Sequence, residues 1–323
     1  MYFKKIKQPE IYQGRNKQNH FFEGWYYKTV SPQNSISFAL IPGISKNKKN
    51  SHAFIQVILY QDNQQSVPLK SDYFVFDTNE FSFQDNPFEI KIGENVFSKT
   101  RLHIHLKSDL LQIRGDLLIE NLTFIQTSLW TPNIMGPFGY LNFMECYHGV
   151  ISMNHEVSGE LEVDGKLLSL SKAKGYIEKD WGKSFPKEYI WVQSNSFLDE
   201  STSLMFSYAT IPFGFLSFKG LIANLLYQTK EYRFATYNRS KIKIIRLEDN
   251  VVKMVLKKGK YRLEIDAKTE STLPLKSPLE GLMVNSIKEG LFGYLKISLY
   301  ASKKLVMVDE SHHAGIEIMM KKS

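Results

Sequence analysis

Residues 159–170, GELEVDGKLLSL, decide the fold class. Leu161 and Val163 alternate with acidic side chains, which is the period of a strand with one buried face. The dipeptide Asp164-Gly165 follows, and it is among the strongest short signals for a two-residue hairpin turn. The stretch therefore predicts two antiparallel strands joined by a tight turn.

The same period of two continues on both sides of this hairpin. No segment sustains a helical apolar stripe beyond about three turns. Leu110 to Gln126 is interpreted as two strands broken at Gly115-Asp116. Other predicted strands are His52–Tyr60, Arg101–Leu106, Lys241–Arg246, Val251–Leu256, Tyr261–Ile265 and Gly293–Tyr300. The chain is predicted to be all-β.

The 323 residues favour two domains, because a single core rarely grows past about 250–300 residues. A polar stretch between Met153 and Ser158 follows a segment rich in glycine and proline. We place the boundary there, which gives an N-terminal domain of residues 1–156 and a C-terminal domain of residues 157–323. Each half has the right size for an antiparallel barrel or sandwich.

Composition excludes several classes of protein. Hydrophobic residues make up 43% and charged residues 23%, which excludes a disordered or fibrous chain. The formal charge of +8 comes from scattered lysines, so we expect no nucleic-acid partner. The N-terminus lacks the apolar core of a signal peptide, and Cys146 is the only cysteine. We expect a cytoplasmic protein and leave a peripheral membrane contact and the oligomeric state open.

Three familiar motifs are considered and set aside. Gly182-Lys183-Ser184 imitates the end of a phosphate-binding loop, but Ile177 stands where that motif needs glycine. His103 and His105 share one strand face without a third ligand at a recognisable spacing, so no metal site is predicted. Cys146 with the nearby His148 is interpreted as a buried structural cysteine rather than a nucleophile.

Two clusters mix ionisable groups with large aromatic side chains, at residues 21–28 (FFEGWYYK) and 175–195. If both are extended, alternation sorts their faces. Tyr176, Glu178 and Asp180 would then lie together, and so would Tyr189, Trp191, Gln193 and Asn195. Glu23, Trp25 and Tyr27 would share one face, with Gly24, Tyr26 and Lys28 opposite. Taken alone, these rows also fit strands that pack two sheets together, with lysines pairing the carboxylates.

The clusters resemble the signatures of the tocopherol cyclase family. Residues 22–28, FEGWYYK, are similar to its early signature. Residues 178–182, EKDWG, with Phe185-Pro186 and residues 191–195, WVQSN, are similar to its central one. Counterparts follow in order along nearly the whole chain, at residues 136–150, 263–278 and 293–317.

The resemblance implies two lipocalin-like antiparallel β-barrel domains packed together. It also implies a reaction, the closure of a chromanol ring on a prenylated hydroquinone. An acid protonates the trisubstituted alkene, and the phenol oxygen captures the tertiary cation. This reaction is an isomerisation, so no cofactor is expected. The expected partner is a hydrophobic, prenyl-type small molecule.

That chemistry assigns roles to the clustered residues. Glu178 is the expected proton donor, with Asp180 and Glu23 as alternatives, because a carboxylic acid among aromatics keeps its proton. Asp180 stands where many plant members of the family carry Asn. Aromatic π-faces would stabilise the cation, and Gln193 and Asn195 would hold the hydroquinone hydroxyls. The expected substrate-binding residues are Trp25, Tyr26, Lys28, Trp181, Trp191, Gln193 and Asn195.

Three functional classes follow from these residues. The first is a cyclase or hydratase acting on a prenyl lipid, which needs a perturbed acid facing a cavity. The second is a non-catalytic carrier of a prenyl lipid or other hydrophobic ligand, which needs only the cavity. The third is an interaction or stress protein whose barrels are filled by side chains. Tocopherol cyclase-like ring closure is the preferred interpretation.

Overall fold

The structure is a computed structural model and describes residues 2–61, 69–214, 216–269 and 271–320. One short α-helix, α1 (Tyr2–Lys7), precedes a chain that is otherwise built of β-strands and single 3₁₀ turns. Every strand pair whose register the described residues give is antiparallel. The predicted all-β class is therefore confirmed. None of the helices in the described ranges has the length and apolar character needed to cross a membrane.

The strands fall into two sheets. The first sheet contains β1 (Phe21–Ser31), β2 (Ile36–Lys46), β3 (His52–Gln61), β4 (Leu69–Phe76), β5 (Phe81–Asp85), β6 (Phe88–Ile92), β7 (Asn95–Ser98), β8 (Arg101–Lys107), β9 (Gln112–Thr123), β10 (Cys146–Val163) and β11 (Lys166–Gly182). The second contains β12 (Tyr189–Ser194), β13 (Ser203–Phe213), β14 (Leu216–Tyr227), β15 (Lys230–Ala235), β16 (Lys241–Leu247), β17 (Val251–Lys258), β18 (Tyr261–Thr269), β19 (Leu273–Leu279), β20 (Leu282–Ala301) and β21 (Lys304–Ile318). The 3₁₀ turns are Gly14–Asn16, Pro32–Asn34, Thr78–Glu80, Gly136–Tyr140 and Thr236–Asn238.

Most strands pair with their neighbours in sequence. The first sheet has the order β4-β3-β2-β1-β11-β10-β9-β8-β7-β6-β5, and the second β15-β14-β13-β12-β21-β20-β18-β17-β16, with β19 beside β20. The predicted hairpin is confirmed, because Val163 pairs with Lys166 across Asp164-Gly165. Both turn residues have positive φ, 49° and 81°, as a tight hairpin turn requires. The non-sequential pair β1–β11 brings the two sequence clusters side by side.

The chain forms two compact units. The first contains residues 1–185 and 275–286, and the second contains residues 186–274 and 287–323. The predicted division at 156/157 instead falls inside β10, which pairs with β9 and β11 along the first sheet. The polar stretch between Met153 and Ser158 is therefore not a linker, because its backbone groups are hydrogen-bonded to neighbouring strands within one sheet.

Each unit has its own apolar core. In the first unit, alternate residues of β1 and β11 enter it, including Trp25, Tyr27 and Ile177. In the second unit, Ile190 and Val192 of β12 enter the core, together with alternate residues of β13, β14, β18, β20 and β21. The residues between these positions point to the other face of each sheet, and several of them are polar yet buried.

The predicted break at Gly115 in β9 is wrong. Instead of a break at Gly115-Asp116, a single strand runs from Gln112 to Thr123. A Cβ atom at Gly115 would lie 2.3 Å from the carbonyl oxygen of Glu160 on β10. The glycine therefore permits a close approach of two strands rather than a turn.

Replacing Gly115 with alanine should destabilise the first unit. We expect Gly115→Ala to cost about 1–3 kcal/mol of unfolding free energy, because two backbones must move apart. The matched control is Gly24→Ala, whose new Cβ would meet its nearest neighbour, Ile41, at an ordinary 3.6 Å. Urea unfolding of both variants measures the difference. Equal stability of the two variants would show that the close approach costs nothing.

Candidate functional site

The pairing of β1 with β11 divides the clustered residues between two faces. Trp25 lies opposite Lys179, and Tyr26 lies opposite Glu178. Because side chains alternate along a strand, one face carries Glu23, Trp25, Lys179 and Trp181, and it is the core face. The other face carries Tyr26, Lys28, Tyr176, Glu178 and Asp180. The predicted grouping of these residues is confirmed by the register.

A buried ion pair occupies the core face. Lys179 Nζ lies 2.5 Å from Glu23 Oε1, and both side chains are fully buried. The Glu23 carboxylate also accepts hydrogen bonds from the backbone N–H groups of Gln13 and Gly14, at 2.9 Å each. Lys179 Nζ donates a further bond of 2.8 Å to the carbonyl of Ile11. The pair thereby ties the segment before β1 to the sheet.

Two indole rings surround the same ammonium group. Lys179 Nζ lies 5.0 Å from the ring centre of Trp25 and 4.6 Å from that of Trp181, within cation–π range. Trp25 Nε1 donates to the carbonyl of Glu10 at 2.9 Å, and Trp181 stacks on Tyr147 at 5.4 Å. The π-faces that were expected to stabilise a substrate cation are therefore already engaged with a lysine cation.

The electrostatics of this pair follow from its burial. Burial raises the pKa of Glu23, although the Lys179 ammonium and the two backbone amides oppose that shift. Burial likewise lowers the pKa of Lys179, and the Glu23 carboxylate opposes it. The occupied oxygens of Glu23 give it a structural role, in contrast to the alternative assignment of Glu23 as a proton donor.

The opposite face of β11 carries a different arrangement of acids. His148 of β10 pairs with Asp180, and its Nδ1 lies 2.9 Å from Asp180 Oδ1. Its Nε2 lies 3.4 Å from Glu178 Oε2. Tyr176 donates its hydroxyl to the same Glu178 oxygen at 2.6 Å. The His148 imidazole therefore lies between two carboxyl groups. We call the side chains of His148, Glu178 and Asp180 the acid–imidazole group.

The acid–imidazole group is shielded from water. The exposed fraction of the side chain is 5% for Glu178, 14% for His148 and 27% for Asp180. Burial disfavours the charged imidazole, but the carboxylates of Asp180 and Glu178 outweigh it and raise the pKa of His148 to about 10. Burial raises the pKa of Asp180, and nearby Glu178 adds to this while His148 opposes it. The His148 imidazole thus keeps its second proton at neutral pH.

Sequence reasoning missed His148, which was considered only as a partner of Cys146. Alternation alone could not identify it, because only the register of β10 with β11 places His148 beside Asp180 and Cys146 beside Gly182. Burial raises the pKa of the Cys146 thiol well above its ordinary value, helped by Asp180 and Glu145, so this cysteine is a poor nucleophile at neutral pH.

Lys28 and Tyr26 share the face of the acid–imidazole group. Lys28 lies opposite Tyr176 in the register, and Tyr26 lies opposite Glu178. Their exposed fractions are only 1% and 8%. A lysine this deeply buried outside the apolar core is unusual, because burying an ammonium group is costly unless it is paired.

The second unit holds the other expected binding residues on the non-core face of β12. Trp191, Gln193 and Asn195 are buried there, and Gln193 Nε2 donates to Asn195 Oδ1 at 3.4 Å. Tyr189 donates its hydroxyl to Glu317 Oε2 at 2.5 Å. The predicted common face of this row agrees with Ile190 and Val192 entering the core.

Asn224 and Arg233 extend this polar row and were not predicted. Gln193, Met205, Asn224 and Arg233 are successive partners across β12 to β15. Arg233 Nε donates to Asn224 Oδ1 at 3.3 Å, which turns the Asn224 amide nitrogen the other way. That nitrogen is buried without a hydrogen-bond partner. The Asn224 amide nitrogen can therefore donate to an oxygen acceptor.

Two sets of side chains bear on metal binding. His103 pairs with Asp116 at 2.7 Å and His105 with Glu94 at 2.6 Å, so the two histidines are engaged separately. The ligand atoms of the acid–imidazole group lie within 4.8 Å of one another and could hold a divalent cation. A cation there would have to displace the proton that the carboxylates hold on His148.

The fold and this site together define an all-β protein that holds an imidazole between two carboxyl groups on one sheet face. The family model described as tocopherol cyclase-like matches residues 131–319. The chain belongs to this family, as its two signature clusters predict. It is 21% identical to the chloroplastic tocopherol cyclase of Zea mays, over 92% of this chain and 74% of the maize protein.

Solved structures share the fold. The kievitone hydratase of Nectria haematococca matches 97% of this chain and 94% of its own with a TM-score of 0.53 and 12% identity. CghA matches 94% of this chain and 89% of its own with a TM-score of 0.59 and 9% identity. These likenesses confirm the predicted lipocalin-like class of antiparallel β-structure.

Removing one member of the buried ion pair should destabilise the first unit strongly. We expect Lys179→Met to cost about 3–5 kcal/mol, because the Glu23 carboxylate stays buried without its cation. The double variant Glu23→Gln/Lys179→Met should recover part of this loss, since no unpaired charge remains. Urea unfolding measures both. A loss below about 1 kcal/mol for Lys179→Met would mean that the pair contributes no more to the free energy of unfolding than a surface salt bridge does.

His148 should make stability depend on pH. Its pKa rises from 6.5 to about 10 on folding, so its contribution is complete below pH 6.5 and is lost as the pH rises through about 10. Between these values, the free energy of unfolding of the wild type should fall more steeply than that of His148→Gln. Urea titrations at several pH values measure this difference. Parallel curves would contradict a protonated His148 in the folded protein.

Proposed function

We propose that the chain is an intramolecular cyclase that closes a chromanol-type ring on a prenylated hydroquinone by protonating its alkene. The observation that carries this proposal is the acid–imidazole group, a buried imidazole between Glu178 and Asp180. Membership of the tocopherol cyclase-like family supports it. Protonating an alkene requires an acid that is largely shielded from water, and the Glu178 side chain is only 5% exposed.

The reaction balances without any added reactant. In the reactive form that we propose, Glu178 carries a proton and gives it to the less substituted alkene carbon, and the positive charge appears on the tertiary carbon. The phenol oxygen then forms a bond to that carbon. The proton released from the oxygen returns to the Glu178 carboxylate, so that substrate and product have the same composition.

His148 and Asp180 have supporting roles in this scheme. When Glu178 loses its proton, the His148 imidazolium lies 3.4 Å away and stabilises the new carboxylate. Asp180 keeps the imidazole charged through its 2.9 Å contact with Nδ1. Tyr176 holds the Glu178 side chain by its 2.6 Å hydrogen bond. A strong acid and a stabilised conjugate base are thereby combined in one buried group.

The expected binding residues have different roles in this proposal. Tyr26 and Lys28 stay proposed substrate-binding residues, because they lie on the face of the acid–imidazole group. Trp25 and Trp181 are assigned to holding Lys179, and Glu23 to pairing it. For the second unit, we propose that Trp191, Gln193 and Asn195 contact a hydrophobic ligand, with Asn224 donating to an oxygen atom of that ligand.

The decisive experiment incubates the protein with a prenylated hydroquinone. The expected product has an unchanged mass and a shifted retention time in chromatography. Glu178→Gln should lower turnover by about 10²–10⁴-fold, the usual contribution of a general acid, while binding stays nearly intact. Asp180→Asn should lower it less, because Asp180 contacts His148 and acts on Glu178 only through that imidazole.

Each outcome of this experiment has a distinct meaning. Full turnover by Glu178→Gln with loss in Asp180→Asn would make Asp180 the donor. Tight binding of the hydroquinone with no product from the wild type would make the protein a carrier of prenyl lipids rather than an enzyme. Leu167→Ser, on an exposed turn-proximal site of β11, is the control for general effects of substitution and should turn over normally.

A further inference from the structure

The segment between β9 and β10 exposes apolar side chains. From Asn121 to Met144 it contains no charged residue. The exposed fraction is 75% for Leu129 and 81% for Trp130. The other three tryptophans are buried, at 9% exposure or less. A tryptophan exposed to this degree, next to an exposed leucine, needs an explanation.

The chain presents these two side chains on a hydrogen-bonded turn. Ser128 N–H donates to the carbonyl of Thr131 at 3.0 Å, and Thr131 N–H donates to Ser128 Oγ at 3.1 Å. The hydroxyl of Tyr140 donates to the carbonyl of Leu129 at 2.6 Å. Several polar backbone groups of the turn are therefore satisfied within the chain, as entry into an apolar medium requires.

The base of the segment is packed. Ile134 is fully buried, and Asn133 Nδ2 donates to the carbonyl of Ile6 at 3.0 Å. Phe124 and Phe143, at the two ends of the segment, are exposed at 60% and 58%. An anchored base with an apolar tip resembles an insertion loop more than part of a folding core.

We propose that Leu129 and Trp130, flanked by Phe124 and Phe143, insert into the interfacial region of a phospholipid bilayer. Tryptophan favours the boundary between headgroups and acyl chains, because its ring is apolar and its N–H is polar. The absence of charge from Asn121 to Met144 removes the main cost of insertion. The net charge of +8 draws the protein toward anionic lipid surfaces.

The position of this loop fits the proposed function. Only the link between the loop and a hydroquinone substrate rests on that function. The loop leads directly into β10, and His148 is the third residue of that strand. Met135 of the loop accepts a hydrogen bond from the His148 backbone N–H through its sulfur at 3.3 Å. A hydroquinone with a prenyl tail dissolves in bilayers, so a loop that holds the first unit at the membrane would bring the acid–imidazole group near its substrate.

Bromolipid quenching tests the insertion directly. Vesicles of phosphatidylcholine and phosphatidylglycerol, with bromine on the acyl chains, should quench the emission of Trp130. Trp130→Phe should still sediment with the vesicles but lose this quenching, because the remaining tryptophans are buried. Leu129→Ser/Trp130→Ser should lower the partition coefficient by about tenfold or more, as expected for removing two large apolar side chains.

Matched controls make the result specific. Leu167→Ser removes a leucine that is 60% exposed elsewhere in the first unit and should sediment like the wild type. The proposal is wrong if the wild type does not bind the vesicles, or if the double serine variant binds them equally well. It is also wrong if sedimentation velocity without lipid shows an oligomer that only the double variant loses, since the loop would then join copies of this chain.

The vesicle assay is independent of catalysis, because it contains no hydroquinone. Turnover measured with detergent-dispersed substrate should be the same for the wild type and the double serine variant. Vesicle binding without turnover would therefore refute the proposed reaction and leave the membrane loop intact, and the reverse result would refute the loop alone.

Discussion

The pairing of β1 with β11 is the constraint on which the rest of the first unit depends. Each strand carries acids, lysines and aromatics in direct succession, and only the alternation of a strand separates them. Glu23 and Lys179 enter the core together, whereas Glu178 and Asp180 emerge on the other face with His148. A slip of one residue would exchange the two faces and bury the acids against the indoles.

The ion pair is the element that fixes this register. It joins residues 156 positions apart in the sequence, and its burial makes every alternative register costly, because a displaced carboxylate or ammonium would lose its partner inside the core. Two rings over the ammonium add to the penalty. On this basis, a charged pair that contributes little net stability still specifies one arrangement of the strands. The same register places Glu178 and Asp180 on the opposite face of β11.

Much of this could be predicted from the sequence, since alternation is a local property. The strands, the hairpin at Asp164-Gly165 and the grouping of Tyr176, Glu178 and Asp180 all follow from a period of two. What alternation does not reveal is which strand lies beside which. His148 was missed for that reason, and irregular pairing between Val150 and Ser152 further disturbs the period of β10. The roles of Trp25 and Trp181 depended on the same unknown register, because only the pairing of β1 with β11 brings Lys179 beside Trp25.

The opposition of the two faces also explains why one pair of strands can carry a carboxyl group paired with a lysine and two carboxyl groups beside an imidazole. Glu23 receives hydrogen bonds from a lysine and two amides, so its oxygens are committed. Glu178 and Asp180 instead share one imidazole, so that the protonation of any one of the three groups depends on the charges of the other two. Burial alone would have raised the pKa of either kind of acid. The partner that the register supplies, an ammonium in one case and an imidazole in the other, decides whether the acid is fixed in place or able to exchange its proton.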